Sequence, residues 1–173
     1  APLLRRIAGD QVSFDLRLDP ALTSVDAVGG QLEQVVMNLC LNARDAMPRG
    51  GKLAISAVPV ELDDSFVRVH LGSKVGPHVL VEIRDNGMGM PQEVLARVFE
   101  PFYTTKEVGK GTGLGMSIVY GIISQWGGYV SVESAPEKGT IVRLYLPVTV
   151  GEPEPAASAA PSAIRGTERV LVV

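Results

Sequence analysis

The sequence predicts an α/β fold of mixed strands and amphipathic helices in one main domain, and two patterns carry that expectation. Val12-Ser13-Phe14-Asp15-Leu16-Arg17-Leu18 alternates apolar and polar residues with the period of two of a half-buried strand, and residues 52–60 and 77–85 repeat the pattern. Between them, Leu32, Val35, Val36, Leu39, Ala43 and Ala46 recur at helical spacing until Pro48-Arg49-Gly50-Gly51 stops the run. Asp19-Pro20 ends the first strand and Gly29-Gly30 precedes the helix.

Residues 52–60 and 77–85 should pair antiparallel across a polar, glycine-containing extended connection. A short helix is expected from Pro91 to about Val98, with proline in its first turn. A glycine-rich loop then leads into a second long helix from Leu114 to Trp126, broken by Gly127-Gly128. Strands at 129–133 and 140–147, around a turn at 136–139, complete the domain of residues 1–147. Pro, Ala, Glu and Ser dominate 148–166, a composition that buries too little apolar surface to order itself and reads as a linker. Thr167-Glu168-Arg169-Val170-Leu171-Val172-Val173 restarts a buried-strand pattern, expected to be the beginning of another domain.

The chain has 173 residues, 46% of them hydrophobic, enough for one substantial core. A net charge of −3 provides no basic field for nucleic acid, so none is expected as a partner. Cys40 is the sole cysteine, which excludes an internal disulfide framework and fits a reducing, cytoplasmic compartment. No run reaches the roughly 18 to 20 apolar residues of a membrane span.

Three segments carry chemistry. On the first long helix Gln31, Gln34, Asn38, Asn42 and Asp45 form a second stripe, about 120° round from the apolar one. A carboxamide oxygen is a hard ligand suited to Mg²⁺, making Asn42 the candidate metal ligand, although a solvated helix face explains the same residues. In Ile83-Arg84-Asp85-Asn86-Gly87-Met88-Gly89-Met90 a strand ends in a carboxylate followed by glycines that let a flat ring approach the backbone. Asp85 could accept from the exocyclic amine of adenine, whereas guanine would oppose two acceptors; an ordinary turn is the simpler alternative. Lys110, Gly111, Thr112, Gly113, Leu114, Gly115 and Met116 precede a helix start, so loop amides and helix N-terminus can meet phosphate together. Neither the Rossmann nor the Walker spacing is met. Lys106 and Lys110 could add positive charge, or simply be solvated.

Asn38 to Asp45, the Asp85 to Gly89 turn, Phe99-Glu100-Pro101-Phe102, Gly111 to Gly115 and Gly139-Thr140 follow one another in an order that resembles the catalytic domain of sensor histidine kinases. These kinases belong to the gyrase, Hsp90, histidine kinase and MutL superfamily, and the resemblance spans nearly all of residues 10–147. It implies a two-layer α/β sandwich of the Bergerat type, with a mixed, mostly antiparallel sheet on about three helices. It also implies ATP or ADP with Mg²⁺ on Asn42, Asn38 near the phosphates, Asp85 on adenine and Thr140 supporting that pocket. Asp45, counted with the nucleotide-binding residues, departs from the pattern because many such kinases carry a lysine there. An ATPase of the gyrase type would need a glutamate base where Asn38 stands.

Asn-Ala-Arg-Asp-Ala-Met and the Val-Leu-Val-Val tail resemble hybrid kinases of the alphaproteobacterial cell-cycle type, which implies a receiver domain after the linker. That subgroup responds to cyclic di-GMP, and Tyr120 and Tyr129 are candidates for stacking this second ligand, with helix-on-sheet packing as the plain alternative. The resemblance further implies a monomeric fragment of a dimeric, in some cases membrane-anchored, kinase. A regulatory module that binds nucleotide or cyclic di-GMP without transfer is the competing function. The phosphoacceptor would lie on a separate dimerisation and histidine phosphotransfer domain, in cis or in trans, because neither His70 nor His78 begins an acceptor motif. Incubated alone with labelled ATP, the chain should take up no stable phosphate, and incorporation at His70 or His78 would contradict this.

Overall fold

Alternation along the strands decides which side of the sheet is buried in the computed structural model, which describes residues 11–25, 27–106 and 111–148. The described elements run β1 (Val12–Leu18), α1 (Gly29–Asp45), β2 (Gly51–Leu62), α2 (Asp64–Val69), β3 (Gly76–Asp85), α3 (Gln92–Leu95), α4 (Gly115–Gln125), β4 (Tyr129–Ala135) and β5 (Gly139–Pro147). The sheet has the order β1-β2-β3-β5-β4. Only the β1 and β2 pair is parallel; the other pairs are antiparallel, including β2 with β3 as expected.

Register places the apolar residues of adjacent strands side by side. Ile55 lies opposite Ile83, which lies opposite Val142, and Val81 opposite Leu144. Against this face α1 buries Val35, Leu39, Cys40 and Ala43, and α4 buries Val119, Ile122 and Ile123, forming one continuous core. Burial pushes the Cys40 thiol up to about 11, so it behaves as a small apolar side chain.

The two long helices run antiparallel. Trp126, just past the end of α4, donates its indole N–H to Gln31 Oε1 near the start of α1, at 3.2 Å. At the other end the Asn42 carboxamide lies beside Gly115, the first residue of α4.

Three expectations need correction. The connection from β2 to β3 contains α2, a fourth helix, which Asp63 caps by accepting from Phe66 N at 2.9 Å. Phe66 stacks on His70 with ring centroids 4.0 Å apart and packs near Tyr145 and Tyr129, whose alternation turns them away from the main core. The helix expected from Pro91 to Val98 is α-helical only over Gln92–Leu95, after which Arg97 N and Val98 N bond three residues back to Val94 and Leu95 and tighten the chain into turns. Val148, assigned by composition to the linker, bridges to Val25, donates to the Pro77 carbonyl at 3.0 Å and packs against the core. The rest of the expected linker, 149–166, and the expected strand at 167–173 lie outside the described residues.

Among the described residues no helix is long and apolar enough to cross a membrane. Core depth makes a direct test. Leu144 is 0% exposed, so Leu144→Ala should cost about 2–5 kcal/mol in urea unfolding. Leu71 is 87% exposed, and Leu71→Ala should change stability by no more than about 0.5 kcal/mol.

Candidate functional site

The C-terminal half of α1 turns its carboxamides toward the start of α4. Asn38 Nδ2 is buried without a hydrogen-bond partner among the described residues. Such a group costs about 1–3 kcal/mol and marks a place where an acceptor is missing. One turn later, a Cβ at Gly115 would stand 3.5 Å from Asn42 Nδ2 and 3.8 Å from its Oδ1, so glycine leaves the carboxamide open to the helix start. Among the described residues no side chain caps α4, and Ser117 Oγ donates to the Leu114 carbonyl rather than accepting from the first turn. The amides of Gly115, Met116 and Ser117 therefore lack intrahelical acceptors at the positive end of the helix dipole, beside Asn42.

The loop leading into α4 is held by its own backbone. Thr112 Oγ1 accepts from Leu114 N at 3.3 Å, and the Gly113 carbonyl accepts from Phe102 N at 2.9 Å. Gly113 has φ +66° and its missing Cβ would collide with the Phe102 backbone, so no other residue fits. Phe102 is itself left-handed, with φ 66°, and 75% exposed. Met116 is packed against the core. Lys110 lies outside the described residues.

The turn after β3 builds the second wall. Asp85 pairs in register with Thr140 of β5 and is 8% exposed, with Oδ1 accepting from Gly87 N at 2.8 Å. Burial raises its pKa above the ordinary carboxylate range, only partly offset by the Gly87 and Thr140 amides. Gly87 lies against the Ala46 carbonyl, which accepts from Met88 N at 3.0 Å and ties the turn to the end of α1. Gly89, at φ +65°, has no space for a side chain against the Ala135 carbonyl. The Thr140 hydroxyl pairs with Ser134 Oγ at 3.0 Å, and Ser134 Oγ accepts from Met90 N at 2.9 Å.

Asp45 and Lys106 meet each other. Lys106 Nζ lies 2.6 Å from Asp45 Oδ2, and Arg44 Nη2 is 3.1 Å from Asp45 Oδ1. Partial burial raises the Asp45 pKa, but hydrogen bonds and charges from Lys106 and Arg44 outweigh it and hold the carboxyl below its usual range. The two tyrosines contact different rings, Tyr120 packing on Phe99 at 5.2 Å and Tyr129 joining Phe66, His70 and Tyr145, yet they are near enough that, besides burial, Tyr120 helps raise the Tyr129 pKa. On the face of the sheet away from the main core Asp15, Arg17, Lys52, Glu82 and Arg84 line an open groove of about 500 Å³ that extends to Asp85 and Asn86 at the end of β3. Asp15 and Glu82 there are paired with arginines, and the groove lacks the amides of the α4 start.

Residues 27–150 match the family described as histidine kinase-, DNA gyrase B-, and HSP90-like ATPase. The chain belongs to this family. Sensor kinase CckA of Brucella abortus is 43% identical over 150 residues, covering 87% of this chain and 16% of that protein. Sporulation kinase E of Bacillus subtilis is 40% identical over 137 residues, covering 79% of this chain and 16% of its own. The chain thus spans about 16% of the length of these curated relatives. Among solved structures, mycobacterial sensor histidine kinase MprB aligns with a TM-score of 0.65 at 25% identity, covering 84% of this chain and 89% of that one. Full-length ShkA in complex with AMPPNP aligns with a TM-score of 0.61 at 25% identity, covering 84% of this chain and 29% of that chain. The five-stranded sheet with its helices is thus the two-layer ATPase fold of these kinase catalytic domains, and the chain is an ATP-binding domain of that class.

Sequence reasoning missed three residues of this ATPase-family site. Ser134 fell between the expected strand at 129–133 and the expected turn at 136–139, and only its hydroxyl's neighbours reveal that it braces Thr140 and the turn. Asn86 accepts from Lys52 N at 2.7 Å and locks the turn to β2. Ala46 contributes a backbone carbonyl, which no side-chain motif can announce.

The raised pKa of Asp85 makes a testable difference to the nucleotide-free domain. Its protonated form is favoured by folding, so its contribution is complete below the ordinary Asp range and is lost as pH rises through the elevated value. Asp85→Asn keeps a carbonyl oxygen for Gly87 N and removes the buried charge. Thermal melts should therefore show the variant gaining on the parent as pH rises from about 4 to 7. A gap independent of pH would refute the burial argument.

Proposed function

We propose that this chain is the catalytic domain of a two-component sensor histidine kinase. It binds Mg-ATP and donates the γ-phosphoryl group to a histidine on a separate dimerisation and phosphotransfer domain, in cis or in trans. The observation that carries this reading is the unpartnered Asn38 carboxamide, supported by Asn42 beside the start of α4 and by the buried Asp85 turn, which the Ala46 carbonyl ties to the end of α1. AMPPNP in the structurally similar ShkA supports the same ligand class.

The donor set suits Mg²⁺. Among the described residues no cluster of three or more His, Cys, Asp or Glu could hold a metal. A magnesium ion does not require one, since it keeps waters and takes one or two protein oxygens alongside phosphate. Asn42 would be the protein ligand, and the ion would supply neutralisation of charge on the phosphoryl oxygens. Asp85 selects adenine through its exocyclic amine, Thr140 and Ser134 hold that carboxylate's strand in place, and the start of α4 orients the phosphates. Asn38 offers no carboxylate to activate water, which favours presentation of ATP to an acceptor over hydrolysis. Neither histidine here suits that acceptor role: His78 is 3% exposed and His70 is stacked on Phe66.

In the full protein, residues 149–166 would act as a linker to a receiver domain beginning near 167, within a dimeric hybrid kinase whose catalytic portion is cytoplasmic. Cyclic di-GMP at Tyr120 and Tyr129 would be a second input. Calorimetry should find ATP binding assisted by Mg²⁺ and little GTP binding, with Asn42→Ala and Asp85→Ala each weakening ATP about tenfold or more. Phosphate should then pass to a supplied dimerisation domain. Equal affinity for GTP would overturn the role of Asp85, and ATP binding without transfer would assign a regulatory module instead.

A further inference from the structure

We propose that Asp45 is a positioning residue for Lys106, holding its ammonium beside Asn42 at the end of α1, where it meets the polyphosphate of the nucleotide. This rests on the ATP-site reading above and adds to it a role for a carboxylate that would otherwise repel the ligand. Asn42 and Asp45 are three residues apart on one helix, so they share a side of it. Lys106 comes from 61 residues away, yet its Nζ is 2.6 Å from Asp45 Oδ2.

Lys106 is held from a second direction. A Cβ on Gly111 would stand 2.9 Å from Lys106 Cδ and 3.0 Å from Thr104 Oγ1, so a side chain there would have to displace the lysine stem. Thr104 Oγ1 also accepts from Lys106 N at 3.2 Å. The ammonium has three donors, and its side chain remains 35% exposed. Arg44 also reaches the same carboxylate, so Asp45 gathers two cations at this end of α1.

The proposal can be separated from simple electrostatics by sign. Asp45→Asn removes a negative charge near a polyanion, so charge alone would tighten ATP binding, whereas lost positioning weakens it. Calorimetry on the 173-residue chain should find ATP bound about tenfold more weakly by Asp45→Asn, and AMP binding unchanged. Lys106→Met should produce a similar loss, and the double variant no additional one. Reversing the pair, Asp45→Lys with Lys106→Asp, returns an ammonium to the same place and should restore most of the affinity. Without nucleotide, Lys106→Met should also raise the Asp45 pKa measured by NMR. If the parent binds ATP while Asp45→Asn binds it equally or more tightly, or if the reversed pair fails to rescue, the positioning role is wrong. If the parent does not bind ATP, the site reading itself fails.

Discussion

The antiparallel contact between α1 and α4 is the constraint on which the remainder of the molecule depends. Both helices need to bury an apolar stripe against the same face of the sheet, and Val35, Leu39, Val119 and Ile123 do so in one core. Laid antiparallel, they bring the end of one to the beginning of the other. The same packing that stabilises the domain thus sets carboxamides from α1 against free amides from α4, at Asn42 and Gly115. A site assembled this way inherits the rigidity of the core while its chemistry stays at the surface.

Backbone proximity governs the other wall. Gly87 touches the carbonyl that follows α1, Gly89 the end of β4, and Gly139 the carbonyl of Asp85 itself. Gly139 also has φ +79°, so two independent restrictions select glycine. These contacts join α1, β3, β4 and β5 around one carboxylate. Asp85 can remain buried because the surrounding main chain donates to it, at an electrostatic cost visible in its raised pKa. The charge is therefore held in reserve for a ligand that can donate to it.

Much of this was legible in the sequence for identifiable reasons. The strands alternate because one face is buried, so Val12 to Leu18 and Gly76 to Asp85 announce both their existence and their orientation. The glycines of the turn and the loop announce close approach. The helix Asp64–Val69 stayed hidden because six residues hold too few turns to show a period, and only Asp63 hinted at its cap. Lys106 and Asp45 were each legible as candidates near the nucleotide, but not as a pair, since nothing local couples residues 61 positions apart. Composition also ended the domain one residue early, because Val148 owes its place to Val25 and Pro77 rather than to its neighbours in sequence.

Cys40 lies at the centre of α1, fully covered and with its thiol held near a pKa of about 11. As the chain's one sulfhydryl, it is silent toward alkylating reagents in the folded state. A cysteine introduced at any exposed position would then be the sole point of attachment for a dye or spin label. Movements of the nucleotide corner relative to the sheet can be followed by spectroscopy without first stripping the protein of its native thiol.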